Sequence, residues 1–190
     1  AHNIFELALN SPDVIQTRLE TETIEEDWSK IAEVLQKAIQ QCDEFSQAEG
    51  KSLALKLKEY CNTIYSSLKK VEEVDPKRVE KIRARIKGNI SAFLGEEGYD
   101  KNRLEQEIIF YIEKLDIHEE RVRLRTHLDY FIQILEEKQS NGKKLGFLSQ
   151  EIGREINTIG SKANDAEMQK HVVAMKEELE KIKEQLNNVL

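Results

Sequence analysis

The sequence predicts an all-α protein: a long antiparallel helical hairpin followed by a helical C-terminal bundle. Three observations carry this expectation. Apolar residues recur at spacings of three and four along most of the chain, the period of one face of an α-helix. Helix breakers are scarce, with two prolines and eight glycines in 190 residues. No segment alternates apolar and polar residues with the period of a strand, and no repeat of fixed length recurs.

Residues 1 to 22 read as a lead-in segment, a short helical candidate from Ile4 to Leu9 followed by Ser11-Pro12-Asp13, where a helix interior cannot continue. Thr23 is the expected N-cap of the first long helix, which places Glu25 and Glu26 in a first turn that favours carboxylates. Trp28, Ile31, Leu35, Ala38, Cys42 and Phe45 then form an apolar stripe, as do Leu53, Leu57, Tyr60, Ile64, Leu68 and Val71. The stripe keeps its phase across Gly50, so one helix is expected from 24 to 73. Asp75-Pro76 has the form of an N-cap and first helical position, which predicts a second helix over 76–94 folding back on the first. The domain 23–95 is thus expected to be a hairpin.

The C-terminal domain, 96–190, opens after Gly98-Tyr99-Asp100. Its stripes run through Leu104, Ile108, Tyr111, Ile112 and Leu115, then through Ile117, Leu124, Leu128, Phe131 and Leu135. After the turn Ser140-Asn141-Gly142, Leu145, Leu148, Ile152, Ile156 and Ile159 mark another helix. Asn164 and Glu167 have capping-box spacing for the last one, with Met168, Val172, Met175, Leu179, Ile182 and Leu186 on its apolar face.

The formal net charge of -7 argues against wholesale coating of nucleic acid, although a local basic patch remains compatible with it. No apolar run reaches the roughly 20 residues of a membrane span. No charged start followed by an apolar stretch opens the sequence, and the expected compartment is the cytoplasm. Cys42 and Cys61 both fit apolar helix positions; on one continuous helix they lie about 28 Å apart, too far for a disulfide, so two buried thiols are expected.

Three stretches could carry chemistry. Within Pro76 to Lys87, Arg78, Lys81 and Arg85 share a stripe that could track a phosphate backbone, unless it is a solvated flank. Asp116, Glu119, Arg123 and His127 fall on one face, suited to metal binding or proton transfer, or equally to ion pairs along a helix. Opposite the apolar face of the 142–162 helix lie two polar stripes. One is Gln150, Arg154, Asn157 and Ser161; the other is Glu151, Glu155, Thr158 and Lys162. Such side chains bond to defined partners, whether a ligand or a polar layer between helices. A Gly-rich phosphate loop, zinc-like Cys/His spacing and a nucleophile elbow are all absent from the sequence.

These segments resemble the C-terminal part of the YicC-like family of bacterial stress-associated endoribonucleases. The resemblance rests on Asn102-Arg103-Leu104-Glu105-Gln106-Glu107, Asp116-Ile117, Glu119-Glu120, Arg123-Leu124 and His127-Leu128. It continues through Gly142-Lys143-Lys144-Leu145, Gln150-Glu151 and Arg154-Glu155 to the run from Asn157 to Glu167. Gly146 and Gly153 depart from it, standing where the family usually has an aspartate and an asparagine. The missing aspartate puts a metal role in doubt.

The resemblance implies a cytoplasmic bacterial endoribonuclease, helped by a divalent metal ion, manganese or magnesium, and needing no organic cofactor. Glu119, Glu120, Arg123, His127, Glu151, Arg154 and Glu155 would form its catalytic set. Lys77, Arg78, Lys81, Arg85, Arg103, Asn157, Ser161 and Lys162 would hold RNA. RNA, further copies of the chain and other RNA-decay proteins are the partners it implies, with no membrane. The chain lacks the N-terminal domain of that family and is expected to be a C-terminal piece. The rival readings are a non-catalytic helical assembly or adaptor protein, whose polar stripes are subunit contacts, and an RNA chaperone that binds without cutting.

Overall fold

The computed structural model describes residues 2–10, 21–95, 98–137 and 141–187. Every regular element among them is a helix: α1 (His2–Leu9), α2 (Thr21–Leu94), α3 (Lys101–Lys114), α4 (His118–Leu135), α5 (Gly142–Ala163) and α6 (Ala166–Leu186). The chain is therefore all-α, as its periodicity predicts. The Ser11-Pro12-Asp13 break and the Ser140 end of the 140–142 turn lie outside the described residues. The chain divides into two compact units, Ala1–Glu49 and Gly50–Leu190.

The core belongs to the second unit. Leu57, Cys61, Ile64, Leu68 and Val71 of α2 bury against Leu124, Leu128 and Phe131 of α4, Ile152, Ile156 and Ile159 of α5, and Val172, Met175 and Leu179 of α6. These are the stripes read from the sequence, and their burial supplies the main drive for folding. Gly160 lets α5 and α6 approach closely: a Cβ there would sit 3.0 Å from Val172 Cγ1, and that side chain would have to give way.

The expected hairpin between 24–73 and 76–94 does not form; α2 runs unbroken through both Gly50 and Pro76. An interior proline costs a helix about 3 kcal/mol, by losing one hydrogen bond and crowding the preceding turn. Packing on either side of it offsets that cost. Val71 is buried before the proline and Ile82 after it, and Arg78 is buried with only 2% of its surface exposed. The Asp75 carboxylate, expected as an N-cap, instead accepts from Arg78 Nε at 2.9 Å and from Nη2 at 2.6 Å. The reversal comes later, at Gly95, whose φ of +73° suits glycine at a helix C-terminus. Beyond it Tyr99 meets Ser91, and Glu105 pairs with Arg83 and Lys87.

Three local expectations also shift. The last helix is capped by Asp165, whose carboxylate accepts from the Glu167 and Met168 amides, while Asn164 closes α5 in the left-handed region at φ 42°. Helix α2 begins at Thr21, two residues ahead of the expected cap. Cys61 is buried, and burial pushes its thiol up to about 12, but Cys42 is exposed. Cys42 shares its setting with the rest of its stripe: in the first unit Trp28, Ile31, Leu35 and Phe45 are all exposed.

Candidate active site on α4 and α5

The two polar stripes of α5 have different fates. Gln150, Arg154, Asn157 and Ser161 are exposed, whereas Glu155 is buried and Glu151, Thr158 and Lys162 are half-buried. The helical period alone separates them, since the second stripe lies one residue further round toward the buried face. Helix α4 packs on α5, and its own polar residues meet this second stripe. Lys162 Nζ donates to Glu120 Oε1 at 2.8 Å and to the Asp116 carbonyl at 2.9 Å. Arg123 Nη1 lies 3.9 Å from Glu155 Oε1, and Arg123 also pairs with Glu119 one turn back. Arg154 Nη1 sits 3.1 Å from Glu151.

Two carboxylates of this cluster are out of water, Glu120 and Glu155, each 7% exposed. Glu120 Oε2 is buried with no hydrogen-bond partner among the described residues. Leaving such an acceptor unpaired costs about 1–3 kcal/mol, so packing alone does not account for it. Burial pushes the Glu155 carboxyl above the usual carboxylate range; Arg123 and His127 pull it back, and Glu120 and Glu151 push it further up. The result is a titratable group among an arginine, a histidine and two carboxylates on one helix interface, the pattern from which proton-transfer sites are built.

The expected catalytic set is thus largely brought together: Glu120, Arg123, His127, Glu151 and Glu155 share one electrostatic neighbourhood. Glu119 and Arg154 stand at its exposed edge, with 70% and 77% of their side-chain surface accessible. Asp116 is not on the α4 face, because it precedes the helix and its carboxylate accepts from the His118 amide. Among the described residues no three His, Cys, Asp or Glu side chains gather to hold a metal ion, and Gly146 offers no side chain.

Of the expected RNA-binding residues, Lys77, Lys81, Arg85, Arg103, Asn157 and Ser161 are exposed. Arg78 is misplaced in that set. Its guanidinium points inward and is used up on Asp75, on the Lys162 and Ala163 carbonyls at 2.8 and 3.1 Å, and on the Leu115 carbonyl at 2.9 Å. It ties the ends of α3 and α5 to α2 by filling carbonyls that helix C-termini leave open. Lys162 is likewise engaged within the fold. A neighbouring ion-pair array escaped the sequence reading: Glu72 with Arg121 and Arg125, and Asp75 with Arg121. Only the i,i+3 spacing of Asp75 and Arg78 could have signalled its edge.

An all-α bundle that holds buried carboxylates beside arginine and histidine has the groups that acid–base chemistry uses. The comparisons with known proteins narrow the class. Residues 71–190 match the family model described as endoribonuclease YicC-like, C-terminal, and the chain belongs to that family. It is 34% identical over 179 residues, 94% of its length, to a probable endoribonuclease YicC of Clostridioides difficile. It is 37% identical over 90 residues to a probable endoribonuclease YicC of Haemophilus influenzae, 47% of the chain and 31% of that protein. The chain spans 61% of the length of the Clostridioides difficile relative. None of the described helices is long and apolar enough to cross a membrane.

Proposed function

We propose that this chain is the catalytic part of an endoribonuclease and that the α4–α5 cluster cleaves the RNA phosphodiester bond. The observation that carries the reading is the pair of buried carboxylates, Glu120 and Glu155, one with an unpartnered oxygen, at a helix interface whose apolar packing is already complete. A carboxyl held above its ordinary range can give a proton to the oxygen leaving phosphorus. Its conjugate base can take one from the attacking hydroxyl. Arg123, half exposed beside Glu155, is suited to the charge that grows on the phosphate. Lys77, Lys81, Arg85 and Arg103 supply sequence-independent phosphate contacts at the surface.

The test uses the full-length protein, because the relatives are longer than this chain. Purified protein incubated with structured RNA is expected to cut it. Arg123→Gln is expected to lower the rate tenfold or more, about 1.4 kcal/mol of transition-state stabilisation, with melting temperature unchanged. Binding of RNA without cleavage would assign the chain to the RNA chaperones instead. Neither binding nor cleavage would leave the adaptor reading.

A further inference from the structure

Resting on the ribonuclease reading, we propose that Lys162 is a positioning residue that fixes Glu120 for the reaction, not a contact for RNA. Its ammonium group reaches from the last turn of α5 to two atoms across the interface, the Asp116 carbonyl at 2.9 Å and Glu120 Oε1 at 2.8 Å. Both ends of that bridge are anchored by one guanidinium. Arg78 binds the Lys162 carbonyl itself and the Leu115 carbonyl, immediately before Asp116.

Lys162 therefore has little freedom to swing out toward a phosphate. Glu120, with 9% of its side chain exposed, is pinned through one oxygen. The other oxygen, Oε2, stays buried and unpartnered. A carboxylate fixed through one oxygen holds its charge in one place near Glu155, whose carboxyl it pushes up. A fixed first oxygen removes the rotation that would otherwise have to be restrained in the transition state.

The experiment measures steady-state cleavage of one RNA by full-length protein carrying Lys162→Gln, Lys162→Arg, Glu120→Gln, or Lys162→Gln with Glu120→Gln. The expected result is a fall in kcat of tenfold or more for Lys162→Gln with KM within about twofold, and recovery of most of that loss in Lys162→Arg. Adding Lys162→Gln to Glu120→Gln should cost no further rate, because both act through the same carboxylate. A raised KM with unchanged kcat, and a flatter salt dependence of binding, would make Lys162 an RNA contact and overturn the proposal. Additive losses in the double variant would overturn it in favour of a structural role. If the unsubstituted protein cuts no RNA, the ribonuclease reading itself falls and the proposal falls with it.

Discussion

The two polar stripes of α5 run side by side along one helix, one with a single charged residue and the other with three, and they differ in burial. Gln150, Arg154, Asn157 and Ser161 face water, and the bonds they make are local, such as that from Ser161 Oγ to the Thr158 carbonyl at 2.9 Å. Glu151, Glu155, Thr158 and Lys162 sit one residue round the helix, where α4 covers them and brings Glu120 and Arg123 within reach. A turn of about 100° per residue thus separates solvation from burial. The difference teaches that polar residues on a helix acquire function from what packs over them, because only removal from water makes their charges strongly interact.

The largest expected effect concerns the residue that holds the end of the inward stripe in place. Arg78→Met removes a buried charge partner of Asp75 and leaves three helix-terminal carbonyls open. It should cost about 3–5 kcal/mol of stability, read from urea or thermal unfolding. A loss below about 1 kcal/mol would mean that Arg78 is not the anchor described here.

A smaller effect separates the stripes by pH. The fold raises the Glu155 carboxyl above its unfolded value, so it favours the protonated form. That contribution is present in acid and is lost as pH climbs from the ordinary carboxylate range through the raised value. Glu155→Gln carries no charge at any pH. Its stability relative to the parent should therefore improve as pH rises from the ordinary carboxylate range through the raised value, whereas Arg154→Gln should show no such trend. A flat difference for Glu155→Gln would place that carboxyl in water. The smallest effects belong to the outward stripe: Asn157→Ala and Ser161→Ala should each change stability by less than about 0.5 kcal/mol.

Much of this was legible in the residues. The stripe Leu145, Leu148, Ile152, Ile156 and Ile159 is buried as its spacing predicts, and so are Met168, Val172, Met175, Leu179 and Ile182. Helix α2 shows where periodicity stops being informative. Leu57, Ile64 and Leu68 are buried while Trp28, Ile31 and Leu35 are exposed, although their spacings are equally regular. Period identifies the face to be covered, but the covering surface must come from elsewhere in space. Asp75-Pro76 misled because a proline suits a first helical turn, and local sequence carries no record of the Arg78 bonds that let the helix continue. The internal bonds of Lys162 stayed hidden for the same reason: its partners, Asp116 and Glu120, lie more than 40 residues away, at separations of 46 and 42.

The most direct test of the central claim compares Glu155→Gln with Gln150→Ala, one substitution on each stripe, by the initial rate of RNA cleavage in the full-length protein. Glu155→Gln is expected to lose tenfold or more while Gln150→Ala stays within about twofold of the parent, with both variants folded. Equal rates for the two variants would contradict it, because the buried stripe would then be a polar packing layer and the chemistry would lie elsewhere.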